Sequence, residues 1–209
     1  MNSKILGLLA VGLLAGPTAN AVPAYFTNEA AFNAAAGGAA SSVQSFESAP
    51  GGSATSLDFG NVTVGCSGTP YCPSFFGRRT GFATDGSYSA YFATPSSITF
   101  TFVGGINAFA IDVIGLGTSG VTTLSVSLDG GAAVAFFSNV TGGSLDARFA
   151  GIFDAGAVFS TVTFTGTAPD DGIDFDRLRF GASSSVPEPG TFALLGLGLL
   201  GLGFTRRKA

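Results

Sequence analysis

The densest group of titratable side chains in the sequence is Asp170, Asp171, Asp174 and Asp176. Reading residues 173–180 as a β-strand places Asp174, Asp176, Leu178 and Phe180 on one face, because side chains alternate across a strand. Leu178 and Phe180 belong in a core, so Asp176 is drawn towards it at the strand's end. By the same alternation Arg177 and Arg179 point to the opposite face and are poor direct partners. A buried carboxylate must be paired or bind a cation. A structural Ca²⁺ held by Asp176 with Glu47 or Asp174 and backbone carbonyls would meet that need. Two carboxylates facing each other across a cleft are also the machinery of glycoside hydrolysis. No second acid is set opposite the first here, and the isolated Asp58 and Asp112 read as solvent-facing strand residues. The expectation is a protein that is not an enzyme.

A second group joins aromatic and basic residues. Tyr71, Phe75 and Phe76 precede Arg78 and Arg79, and Tyr88, Tyr91 and Phe92 follow. Sugars stack on aromatic faces while polar side chains hold their hydroxyls. Tyr71, Arg78 and Arg79 are therefore the candidate glycan-binding residues, and the two arginines also suit an acidic polysaccharide. Beside them Cys66 and Cys72 enclose a Gly/Pro turn. In an exported chain an even pair at this spacing predicts a disulfide closing a short loop, whereas the Cys-x-x-Cys spacing of a redox pair is absent.

Composition removes other chemistries. The 209 residues include no histidine, which excludes Ser-His-Asp and Cys-His catalysis and His-ligated zinc. Two cysteines cannot build a four-thiolate site. Residues 22–190 hold five arginines, no lysine and all thirteen acids, a net charge of −8 that would be repelled by nucleic-acid phosphate. Charged residues make up only 11% of the chain against 32 glycines and 21 phenylalanines, which points to a β-rich globular body rather than a disordered polyelectrolyte.

Both ends read as addresses. Lys4, an apolar run over residues 5–15 and the small-residue pattern Ala19-Asn20-Ala21 predict a signal peptide over residues 1–21. A Ser/Pro linker over 183–190 carries Pro187-Glu188-Pro189. It is followed over 191–209 by an apolar Gly/Leu helix and a basic tail with Arg206 and Arg207. The apolar helix is short for a bilayer, and the basic cluster suits a stop on the cytoplasmic side. This tripartite order resembles the PEP-CTERM sorting signal. The resemblance implies export, transient anchoring in the inner membrane by the C-terminal helix, and processing by exosortase, a membrane-embedded transpeptidase. It also implies delivery to the envelope or extracellular matrix of a cell that makes exopolysaccharide.

The elements between the ends must position the two side-chain groups. Thr27 or Asn28 caps a short helix through residue 36, ended by Gly37-Gly38. Beyond it the apolar pattern turns to period two, as in Ile98, Phe100, Phe102, then Phe109, Ile111, Val113, then Leu124, Val126, Leu128, then Val162 and Phe164. Turn signals recur about every ten residues, with Asp129-Gly130 the sharpest hairpin. The prediction is a mainly β domain over 22–182, a two-sheet antiparallel jelly-roll-like sandwich of nine to eleven strands and one N-terminal helix. Phe46-Glu47, Pro50-Gly51 and Asp176 on the last strand resemble the start and end of the jelly-roll bodies often carried by such substrates. The expected function is an exported surface or matrix protein whose body binds exopolysaccharide. The alternatives are a purely structural matrix protein and a carboxylate-dependent hydrolase.

Overall fold

A computed structural model describes residues 22–48, 55–74 and 76–182. The expected signal peptide with Ala19 and Ala21, Pro50-Gly51, Phe75, and the C-terminal segment with Pro187, Glu188, Pro189, Arg206 and Arg207 lie outside them.

The described chain forms two antiparallel sheets and one helix. The first sheet runs β1 (Ala24–Phe26), β11 (Ala147–Phe153), β8 (Ala108–Ile114), β13 (Gly172–Gly181), β6 (Tyr88–Ala93) and β5 (Gly77–Thr80), with β2 (Ser42–Gln44) also paired to β13. The second runs β10 (Val134–Val140), β9 (Thr122–Leu128), β12 (Phe159–Gly166), β7 (Ser97–Ile106), β4 (Val62–Ser67) and β3 (Ser56–Asp58). Thirteen strands thus replace the nine to eleven expected. The strands of three and four residues are too short to show a period in sequence.

The alternation works as the sequence suggests. Ile98, Phe100, Phe102, Val162 and Phe164 are buried from the second sheet, and Phe109, Ile111, Val113 and Ile152 face them from the first. Phe100 sits at the centre, its ring 5.6–6.2 Å from those of Phe109, Phe164 and Phe175. On the outer face of the second sheet, hydroxyls pair across strands, Thr99 with Thr163 at 2.9 Å and Ser97 with Thr165 at 2.7 Å. The Asp129-Gly130 turn joins β9 to β10, with both central residues at positive φ and Gly131 N–H donating to Leu128 O at 2.8 Å.

The helix α1 (Glu29–Ala36) is capped by Asn28, whose Oδ1 accepts the Ala31 N–H at 3.0 Å, and stops at Gly37 in the left-handed region. It lays Phe32 and Ala36 on the outer face of the first sheet, against Ala108, Ala110 and Phe149. Gly151 makes this possible, because a Cβ there would stand 2.7 Å from the Phe32 ring. The helix therefore covers one half of that face, and the other half is where the charged residues gather.

One expectation about β13 is corrected. Arg177 has φ 49° and the pairing with β8 shifts register between Asp176 and Arg179. This bulge inserts one residue and resets the alternation. Ile173, Phe175, Leu178 and Phe180 enter the core, while Asp174, Asp176, Arg177 and Arg179 share the outer face with one another. The arginines are thus partners of carboxylates, not strangers on the opposite side.

Candidate functional site

Two polar assemblies occupy the outer face of the first sheet beyond α1. The first is centred on Asp174, which is wholly buried. The Arg79 guanidinium on the edge strand β5 grips it, with Nε at 2.8 and 3.0 Å from its two oxygens and a further contact from Nη2. The Ser89 hydroxyl adds a bond of 2.6 Å. Burial pushes the Asp174 carboxyl above its ordinary value, and the bonds from Arg79 and Ser89 hold it back. Arg79 is itself sandwiched, its guanidinium carbon 3.7 Å from the Phe82 ring centre and 4.0 Å from that of Tyr91.

The second assembly pairs Asp112 directly across from Asp176. Arg177 binds both oxygens of Asp112 at 3.0 Å and reaches Glu29 on α1 at 2.9 and 3.2 Å. Arg179 also contacts Glu29, at 2.9 Å. Asp112 is 6% exposed, so the reading of it as solvent-facing is corrected: the bulge brings Arg177 over it. One oxygen of Asp176 accepts the backbone N–H groups of Thr84 and Asp85 at 2.6 and 2.7 Å. Burial raises the Asp176 carboxyl and these N–H groups oppose the rise. Glu47 holds the far end of the same loop, accepting the Ser87 and Tyr88 N–H groups at 2.7 and 2.8 Å.

Beside these assemblies a pocket of about 100 Å³ opens between Tyr71, Tyr91, Ala93 and Asp170. Each wall is fixed from behind. The Cys66–Cys72 disulfide ties the loop bearing Tyr71 to β4, and Ser96 donates to Gly68 O in that loop at 3.2 Å. Tyr91 lies against Gly172, where a Cβ would come within 3.0 Å of its ring, and Arg79 packs on its face. Asp170 stands in the left-handed region on a turn that Asp171 locks. The buried Asp171 carboxylate accepts the N–H groups of Gly117, Thr118 and Ser119 at 2.8–3.2 Å. Tyr71 donates its hydroxyl to Asp170, and that bond raises the Tyr71 pKa above its ordinary value. Burial raises Tyr91, with Arg79 opposing and Asp174 and Asp171 adding to the rise. The pocket thus offers two aromatic rings and one carboxylate in a rigid setting. Its volume takes a few waters' worth of ligand, one edge of a sugar ring rather than a whole one.

Comparison with known proteins bears on the end of the chain. Residues 185–208 match the PEP-CTERM protein-sorting motif. The chain carries the signal of an exported protein. The PEP-CTERM match contains Pro187-Glu188-Pro189, Arg206 and Arg207 and stops short of the sandwich. No curated protein matches the chain. Solved structures similar to the sandwich include TmCBM61 in complex with β-1,4-galactotriose, at TM-score 0.40 and 17% identity over 66% of this chain and 94% of that one. A family 35 carbohydrate-binding module from Clostridium thermocellum gives TM-score 0.38 and 16% identity over 57% and 92%. The C-terminal family 22 carbohydrate-binding module of Clostridium thermocellum Xyn10B gives 0.40 and 14% over 71% and 97%.

The residues singled out in the body of the chain separate into distinct tasks. Of the glycan candidates, Tyr71 lines the pocket. Arg79 is spent on Asp174 and on steadying Tyr91. Arg78 leans on Tyr88 at 4.2 Å and donates to Glu47 O at 3.5 Å. Tyr91 and Asp170 complete the site. The alternation of Ser89, Tyr91 and Ala93 against the core residues Ala90 and Phe92 was the signal for Tyr91. The three calcium candidates do not converge: Glu47, Asp174 and Asp176 are each engaged by separate protein donors. Among the described residues no three carboxylates are grouped to hold a metal ion. A melting temperature unchanged by EDTA is expected. A fall of several degrees would instead give a metal to Asp176 Oδ1, which is buried and has no hydrogen-bond partner.

Proposed function

We propose that this exported protein is a non-enzymatic glycan-binding component of the cell surface or extracellular matrix, and that it engages exopolysaccharide at the pocket of Tyr71, Tyr91 and Asp170. The observation that carries this reading is the pocket itself, where two tyrosines and a carboxylate are held from behind by a disulfide, an arginine stack and a fully satisfied aspartate. Preorganised aromatic surface with a fixed polar group is what a sugar ring needs, since little ordering cost is left for binding. Asp174 and Asp112 on this face are paired with arginines and one oxygen of Asp176 accepts backbone N–H groups, which favours binding over hydrolysis.

The test is retention of the mature exported protein on the producing strain's own exopolysaccharide. Tyr91→Ala is expected to weaken retention about tenfold with no shortening of the glycan, the scale of one lost aromatic contact. No retention of the unaltered protein would leave a structural matrix protein as the better account, and shortened glycan would mean hydrolysis.

Exosortase is the proposed processing partner, acting while the C-terminal helix holds the chain in the inner membrane. The intact mass of the mature protein should then lack everything beyond about Pro189. A mature protein that still contains Arg206 and Arg207 would make the tail a permanent anchor.

A further inference from the structure

We infer that the pocket prefers a sugar bearing a free ammonium group, a 2-amino sugar unit of a partly deacetylated polysaccharide, over neutral or acidic sugars. The inference rests on the glycan-binding reading and deepens it. The sequence offers Arg78 and Arg79 as partners for an acidic polysaccharide, but the fold withdraws them. Arg79 is closed in by Asp174, Phe82 and Tyr91. Arg78 lies over Tyr88, and the pocket walls include no cation.

What the pocket presents is a carboxylate between two tyrosine rings. An ammonium group is attracted both by the charge of Asp170 and by the negative faces of the rings. The hydrogen bond that Tyr71 donates to Asp170 raises the Tyr71 pKa, and burial raises that of Tyr91, so both rings stay neutral beside the carboxylate. Asp170 is held ready for this task. Its N–H donates to Thr94 O at 3.1 Å, its carbonyl accepts the Ser119 hydroxyl at 2.7 Å, and the neighbouring Asp171 ties three backbone N–H groups. An acidic sugar would meet repulsion from Asp170, and no arginine lines the pocket to offset it. An N-acetylated unit would offer the exposed Asp170 carboxylate a neutral amide N–H in place of a charged ammonium, and so gain less beyond the stacking.

The test measures binding of the full chain to three oligosaccharides of equal length, made of glucosamine, N-acetylglucosamine and galacturonic acid, in salt high enough to screen the net negative body. The glucosamine oligomer should bind roughly tenfold more tightly than the acetylated one, with the galacturonate weakest. Asp170→Asn should erase that preference, the glucosamine oligomer's affinity falling to that of the acetylated one. Asp85→Asn, which removes one exposed charge outside the pocket, should leave the preference intact. The preference should also fade as pH is raised past the amine's own pKa. Equal binding of the amino and acetylated oligomers, or a preference that survives Asp170→Asn, overturns the inference and leaves the glycan-binding reading standing. Binding of none of the three also overturns the inference, and the glycan-binding reading falls with it only if the protein is not retained on the producing strain's own exopolysaccharide.

Discussion

Replacing Arg79 by methionine should lower stability by about 3 kcal/mol at neutral pH, the largest effect expected of any substitution at the site. The change keeps most of the apolar stem between Phe82 and Tyr91 but strips the charge from a wholly buried carboxylate. The figure is set at the low end of the range for broken buried pairs because the arginine is itself 32% exposed. The loss should depend on pH with a definite sign. The folded Asp174 carboxyl already lies above its ordinary value because of burial, so between the two values the folded state binds more protons than the unfolded one. Stability from this group therefore rises as pH falls through the folded value and levels off below the unfolded one. Without Arg79 the folded value climbs further, so the deficit of the variant should shrink steadily on acidification. Denaturant titrations of both proteins between pH 7 and pH 5 check this. A deficit that stays constant would mean that Arg79 stabilises by packing alone.

Arg177→Met should cost a similar amount for a different reason. It leaves Asp112 and Asp176 directly opposed, 6% and 0% exposed, with only the Thr84 hydroxyl between them at 2.6 and 3.3 Å. Two carboxylates at such range cannot both stay ionised at low cost, so the pair should take up a proton on folding. Glu29→Gln is the matching control. It removes the exposed end of the same network and should cost well under 1 kcal/mol, as surface pairs do. The arginine holds the Glu29 carboxyl below its ordinary value, so that contribution is present above the unfolded pKa and is lost as pH falls through the folded one. Equal losses in the two variants would mean that the Asp112 contact does not matter.

These two arginines also mark where sequence reading stopped. The two-sheet sandwich, the capped helix, the Asp129-Gly130 hairpin and the disulfide were all legible, because each follows from local chemistry. Alternating Phe and Ile against Thr and Ser, an Asn followed by Ala-rich turns, and two cysteines around a Gly/Pro loop depend on nothing distant. The bulge at Arg177 was written in the chain as well. Ile173, Phe175, Leu178 and Phe180 step by two, three and two, so one residue had to be left over. A strict period-two reading absorbed the extra residue and sent Arg177 and Arg179 to the wrong face. That single slip also left Asp112 without the arginine that covers it, whereas the burial expected of Asp176 stands. Which acid meets which base was beyond reach, since Arg79 and Asp174 are 95 residues apart and meet only because β6 lies between their strands. The pocket was half legible. Tyr71 stands out beside the disulfide, but its partnership with Tyr91 and Asp170 requires the turn after β12 to fold back over β6.

The central claim, that the sandwich binds glycan at this pocket, is open to a direct optical test. The chain has no tryptophan and four tyrosines, two of which line the pocket. Tyrosine fluorescence of the full chain, titrated with oligosaccharides cut from the producing strain's exopolysaccharide, should change saturably, and Tyr91→Ala should remove the saturable change while the protein, though less stable for want of the Arg79 stack, stays folded at the temperature of the titration. A titration that binds glycan with the tyrosine signal unmoved, or one whose change survives Tyr91→Ala, would contradict the assignment of the site.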